Sequence, residues 1–371
     1  MAQSTRVERV GAIDGLRGVA SLMVIFVHTT FNVGADYGVP QVQPYFYAGQ
    51  MGVPLFFVIS AFCLYGTYSK LTLQQPRTAV AAFWIKRSAR ILPLWWIWVT
   101  VYAIWHQHPM RNGAASAFFY WGFLRYGPFT DVFPGGWSLF VEETFYWLFP
   151  LLFPLCRSLS RTVAGAFVAW ALSLAWDRYA ALAGVPTDGG YISYSPVNHW
   201  YCFFFGMACF QLTRHKVWPT VAAWLARHNG VSVLAVATLA VDWPQVSHRH
   251  TALLFAGVLL IAIAPGTWLF WLMSLRPLRW FGRRCYSAYL CHFFILDYLA
   301  AKTLVPWSEA LHLPPYLEIR MLVCFPIVVA MTAVVAAVTF RLIEVPTMAL
   351  AARASDLLGR GRSAVHLGEP A

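Results

Sequence analysis

Three ionisable residues stand in the first apolar stretch, DGLRGVASLMVIFVHTTF: Asp14, Arg17 and His28. Ionisable side chains inside a lipid-spanning helix are costly, and where they occur they mark ion, proton or substrate paths. Arg17 and His28 are eleven positions apart, about three helical turns, so they share one helix face. Along the axis they are separated by roughly 16 Å at 1.5 Å per residue. One helix could therefore hold an anion near a membrane surface and move a proton deeper inside. Asp14, three positions before Arg17, reads as the group that holds it in place.

A carboxylate stands at a matching depth. His28 lies about five residues inside the outer end of its segment, and Glu142, in GGWSLFVEETFYWLFPLL, about six. A histidine and a carboxylate at one level form a general base and its orienting partner. Ser138, Glu142 and Tyr146 follow at i, i+4 and i+8, which makes one polar face. Glu143 points about 100° away and is the lesser candidate. Taken singly, His28 is equally explained by an interhelical hydrogen bond, Glu142 by a polar pin between helices, and Tyr146 by interfacial packing. The matched depth and the cations at the opposite surface shift the balance toward chemistry.

Those cations are Lys86, Arg87 and Arg90 in WIKRSARILPLWW. With Arg17 at a similar depth, Arg87 and Arg90 would form a phosphate clamp, because the guanidinium fork donates bidentately to phosphate oxygens. Snorkelling toward lipid headgroups is the competing reading, strongest for Lys86. In GQMGVPLFFVISAFCLYG, the small residues Gly49, Gly52 and Ser60 permit close approach of a neighbouring helix or ligand. GRRCYSAYLCHFFILDY carries Ser287, Tyr289, His292 and Asp297. By helical rise His292 falls about 10 Å from the inner face, in the inner half, where it could line the path of a ligand arm or close an interhelical hydrogen bond. Glu344, in FRLIEVPT just before Pro346, reads as a counter-ion to the inner arginines, and Asp297 is intramembrane and unassigned.

The elements that must position these residues follow from composition. The chain has 371 residues, is 59% hydrophobic and only 11% charged. That is an all-α membrane protein, not a soluble domain. Ten segments fit spanning helices of about 20 residues: 13–33, 45–68, 88–106, 136–156, 162–183, 197–213, 229–244, 251–272, 286–304 and 319–343. The short apolar stretch 114–126 reads as an interfacial or re-entrant piece. With both termini cytoplasmic, the only basic residues outside are Arg111, Arg125, Arg178, Arg249, Lys302 and Arg320, out of 27 Lys and Arg in all. This positive-inside bias also accounts for the net charge of +12 without nucleic acid. Residues 1–12 form a cytoplasmic segment, 13–344 one transmembrane domain whose first helix is retained, and 345–371 a cytoplasmic tail, partly disordered. The 7 cysteines are odd in number and lack CxxC spacing, so neither a disulfide framework nor a metal site is expected.

In order along the chain, DGLRG with its apolar run to His28, GVPLFFVISAF, KRSARILP, WSLFVEETFYWLFP, YSAYLCHFFI and RLIEVP together resemble the acyltransferase-3 family of integral membrane O-acyltransferases. The likeness runs from Asp14 to about Glu344. Two departures are visible: Ala61 stands for the usual glycine after Ser60, and Thr144 for the usual glutamine after the acidic pair. The resemblance implies a multi-pass protein of the bacterial inner or cytoplasmic membrane that takes an acyl-CoA, acetyl-CoA by analogy, from the cytoplasmic side. The acceptor would be a hydroxyl on a sugar, a glycan precursor, a small glycosylated acceptor or a lipid-linked acceptor. Arg17, Arg87 and Arg90 would hold the CoA phosphates, the pantetheine arm would pass His292, and His28 would act as base, oriented by Glu142. The supporting residues would be Asp14, Ser60, Ser138, Tyr146, Tyr289 and Glu344. The alternative is a proton-coupled secondary transporter relaying protons through His28, Glu142 and Asp297, for which the sequence shows no paired halves. A scaffold without activity would leave the ionisable groups without purpose.

Overall fold

The computed structural model describes residues 2–33, 45–46, 48–119, 133–184, 193–242, 248–299 and 316–365. Among them the chain is helical, with no strand. The helices are α1 (Ala2–Asn32), α2 (Gly52–Gln74), α3 (Ala79–Trp105), α4 (Met110–Ala117), α5 (Gly136–Leu152), α6 (Leu159–Leu182), α7 (Trp200–Arg214) and α8 (Trp218–Arg227). They continue as α9 (Asn229–Asp242), α10 (His248–Ile263), α11 (Trp268–Met273), α12 (Arg276–Arg283), α13 (Cys285–Leu299), α14 (Leu317–Thr339) and α15 (Val345–Val365). Four stretches among the described residues are long and apolar enough to cross a membrane: Gly11–Asn32, Ala48–Gln74, Leu159–Leu182 and Glu318–Gly359.

One expectation changes. The segment 251–272 is not one helix: it breaks between α10 and α11, where Gly266 takes a φ of +91°, a left-handed conformation that suits glycine. Of the expected tail 345–371, residues 345–365 are described and form α15. A π-helical turn, Phe340–Glu344, leads directly into α15, and Pro346 stands two residues past that turn, where the regular i→i−4 bonding is already shifted. From 114–126, only the start is described, as the end of α4 and the turn after it; residues 120–126 lie outside the described residues, as do Arg125, Lys302 and the far end of 286–304.

The chain divides into two compact units. The first comprises Met1–Ala61 and Tyr201–Ala337. At its centre is α1, whose residues Ala12, Leu16, Ala20, Val24 and Val27 are buried at helical spacing. Glycines let backbones meet here. A Cβ on Gly15 would strike the Met273 carbonyl, one on Gly18 the Leu278 carbonyl, and one on Gly282 the Asp14 carbonyl. The glycines of DGLRG thus seat α1 against α11 and α12. Gly49 and Gly52 likewise meet the backbone carbonyls of Met23 and Ala20, as the small-residue reading expects.

The second unit comprises Phe62–Trp200 and Val338–Ala371. Here α3 packs against α4, α5, the π-helical turn and α15. Aromatic rings fill the space: Tyr68 meets Phe83 at 5.2 Å and Phe153 at 4.9 Å between centroids, and Phe83 meets Phe149 at 5.6 Å. Trp95 stacks on Phe119 at 5.1 Å and donates its indole N–H to the Ser116 carbonyl.

Candidate active site

In the first unit Gly18 and Gly282 mark where α1 and α12 meet. His28 stands ten residues beyond Gly18 on α1, and His292 stands on α13, after the turn at Arg284 that ends α12. The two rings lie side by side, with centroids 5.3 Å apart. The spacing reading of His292, about 10 Å from the inner face by helical rise, carries no sign of this pairing, which joins two helices.

His28 is half-buried, and its ring also meets Phe293 at 4.6 Å and Phe31 at 6.0 Å. His292 is wholly buried, at 0% exposure. Its Nδ1 lies 2.6 Å from the Tyr289 carbonyl, and its Nε2 is buried and has no hydrogen-bond partner among the described residues. Tyr289 therefore acts on the site through its backbone as well as through its ring, which lies 5.7 Å from that of His292. Arg17 and Asp14 form an ion pair at 3.7 Å, the holding role read from their spacing. Ser60 lies half-buried in α2. Its neighbour Ala61, where a glycine is usual, is fully buried, and room for its methyl comes from Gly206 opposite.

Arg320 carries a signal that the sequence reading passed over. It is one of the few basic residues that break the inside bias. It is buried, and its Nη1 donates to the Val33 carbonyl at 3.0 Å, tying down the end of α1 just beyond His28.

In the second unit Tyr146 donates its hydroxyl to the Glu142 carboxylate, joining two members of the predicted polar face. The guanidinium of Arg87, on α3, lies 5.2 Å from the Tyr146 ring centroid and 5.9 Å from that of Phe83. Arg87, Tyr146 and Glu142 thus form one row, a cation over an aromatic ring whose hydroxyl serves an acid. Arg90 follows one turn later and is half-buried. Ser138 turns its hydroxyl back to the Gly135 carbonyl at 3.1 Å, a local bond at the start of α5. Glu143, ranked below Glu142, is the more buried of the two, at 5% exposure, and its Oε1 has no hydrogen-bond partner. Glu344 is buried within the π-helical turn that packs on α3, the helix of Arg87 and Arg90.

His28 belongs to the first unit and Glu142 to the second; likewise Arg17 to the first, Arg87 and Arg90 to the second. Beside α1 in the first unit lies an apolar cavity of about 400 Å³, lined by Val19, Met23, Phe26, Tyr45, Gly49 and Phe325 among others. None of the twelve predicted site residues lines it. Trp137, at the start of α5, stacks on Tyr194 at 4.4 Å between ring centroids. Among the described residues no group of three His, Cys, Asp or Glu could hold a metal ion, and all seven cysteines are thiols.

Comparison with known proteins agrees with the motif order. The acyltransferase-3 family model, described as an acyltransferase domain, matches residues 10–341. The peptidoglycan O-acetyltransferase OatA of Listeria monocytogenes is 28% identical, over 93% of this chain and 57% of the relative. The O-acetyltransferase OatA of Staphylococcus aureus is 24% identical, over 90% of this chain and 56% of the relative. The chain thus spans about half the length of the curated relatives it matches. No solved structure matches.

Proposed function

The chain belongs to the acyltransferase-3 family, and from that premise we propose that it is a membrane O-acyltransferase moving an acyl group from a cytoplasmic acyl-CoA to a carbohydrate hydroxyl. The family match carries this reading, because it spans residues 10–341 and so takes in every residue given a role here except Glu344. Both relatives are O-acetyltransferases, which favours acetyl as the group moved and acetyl-CoA as donor. The Listeria protein is a peptidoglycan O-acetyltransferase, which favours a glycan or a lipid-linked glycan precursor as acceptor.

In this scheme Arg17, steadied by Asp14, and the pair Arg87 and Arg90 hold the CoA phosphates through paired N–H donors. The pantetheine arm brings the thioester past His292 to His28. His28 takes the proton of the acceptor hydroxyl as the oxygen attacks the thioester carbonyl. The carbon–sulfur bond breaks, and the imidazolium returns the proton to the departing thiolate. Glu142, engaged by the Tyr146 hydroxyl, is the carboxylate partner that favours the imidazolium. The scheme calls for no metal. Ten spans in the cytoplasmic membrane with both termini inside would bring an internal donor to an external acceptor, and the bias of the basic residues supports that topology.

Mass spectrometry of cell-envelope glycans and lipids, from cells with and without the protein, tests the proposal. An acyl ester present only with the protein is the expected result. Identical ester content in both would overturn it.

A further inference from the structure

The reading of His28 as base leaves open what fixes its imidazole. An imidazole that serves as base needs its lone pair aimed at the substrate, and which nitrogen carries that pair depends on the hydrogen bond made by the other. In the first unit the group beside His28 is not a carboxylate but a second imidazole, that of His292.

The state of His292 follows from its surroundings. A backbone carbonyl only accepts hydrogen bonds, so the 2.6 Å contact to the Tyr289 carbonyl requires the hydrogen on Nδ1. In the neutral ring Nε2 then carries the lone pair. That atom is buried in a side chain with 0% exposure and has no hydrogen-bond partner among the described residues. An unmet acceptor in a dry interior costs free energy, so a residue that served only to fill space would be better as leucine or phenylalanine. The His28 ring lies 5.3 Å away between centroids, tilted by 45°, and carries an N–H donor. Phe293 holds the arrangement from one side, with its ring 4.6 Å from His28 and 4.0 Å from His292.

We propose that His292 is the positioning residue for His28: its Nε2 accepts the N–H of the His28 imidazole and so fixes the tautomer whose other nitrogen faces the acceptor hydroxyl. This rests on the proposed O-acyltransferase reading. The orienting task that the sequence places on Glu142 falls to His292 on α13. No proton leaves His292 in the cycle. The proton of the hydroxyl goes to His28 and from there to the thiolate.

Two amides separate this role from its rivals. Glutamine puts an amide oxygen where Nε2 was, while asparagine keeps only a donor where Nδ1 was. With purified protein in detergent, acetyl-CoA as donor and a peptidoglycan glycan fragment as acceptor, His292→Asn should lose about 100-fold in kcat. The KM for acetyl-CoA and the unfolding temperature should stay as in the wild type. His292→Gln should recover to within about 10-fold of wild type, because a hydrogen-bond acceptor is restored. An anchor that only needs the bond to Tyr289 predicts the reverse order and overturns the proposal. So does loss of activity in both folded variants, which would put the nitrogen into the chemistry itself, and so does full activity in both. Should either variant not fold, nitrogen-15 spectra of histidine-labelled wild type decide: a single His28 tautomer supports the proposal, and a mixture contradicts it. Wild type that releases no CoA, or His28→Ala with full turnover, would sink the O-acyltransferase reading. Turnover lost in His28→Ala but kept in His292→Asn would sink this inference alone.

Discussion

Tyr146 carries two contacts at once, a hydroxyl given to Glu142 and a ring under the guanidinium of Arg87. The two can be separated by substitution. Tyr146→Phe keeps the ring and removes the O–H, so kcat should fall about tenfold while stability changes by about 1 kcal/mol. Tyr146→Leu also removes the cation–π contact, which adds roughly 1 kcal/mol of destabilisation and a lower unfolding temperature. Equal kcat in Tyr146→Phe and wild type would detach the hydroxyl from the reaction. At this scale the sequence was informative about identity and weaker about company. Spacing alone placed Tyr146 one turn from Glu142 and Asp14 one turn from Arg17, and both pairs interact. It could not reveal that Arg87 covers the Tyr146 ring, because that contact joins two helices. Glu143 shows the other gap. Periodicity turned it away from Glu142 but could not say that it would be the more buried acid.

The helices meet where side chains are missing. Gly282 lies so close to Asp14 that a methyl group would overlap the carbonyl, so Gly282→Ala should cost about 3 kcal/mol or more and lower the yield of folded protein. Gly257, within α10, has nothing within 4 Å of a built Cβ. Gly257→Ala should therefore stabilise by about 0.5–1 kcal/mol through reduced chain entropy. Thermal unfolding of the two variants should move in opposite directions; a common direction would mean that the α1–α12 contact is looser than described. Helix positions were largely legible, because long apolar runs bounded by polar residues state their own limits. What was not legible is pairing and continuity. That His292 lies beside His28 joins α13 to α1, a tertiary fact. The continuity through Phe340–Glu344 was hidden by Pro346, which reads as a stop although a π-helical turn just before it carries the helix on.

Across the whole chain, composition pointed to an apolar helical protein with few charges, and six ordered motifs to one family, matched over residues 10–341. Each of the two units holds half of the predicted site: Asp14, Arg17, His28, Ser60, Tyr289 and His292 in the first, Arg87, Arg90, Ser138, Glu142, Tyr146 and Glu344 in the second. The division was invisible in sequence, because the first unit is assembled from both ends of the spanning region. Transfer across the membrane is the central claim, and it needs donor and acceptor on opposite sides. Vesicles containing the purified protein, with acetyl-CoA only on the side of the basic loops and a peptidoglycan fragment only on the other, measure this directly. The account predicts an acetyl ester on the fragment with wild type, and at least about 100-fold less with His28→Ala in folded form. Equal ester from both would contradict it.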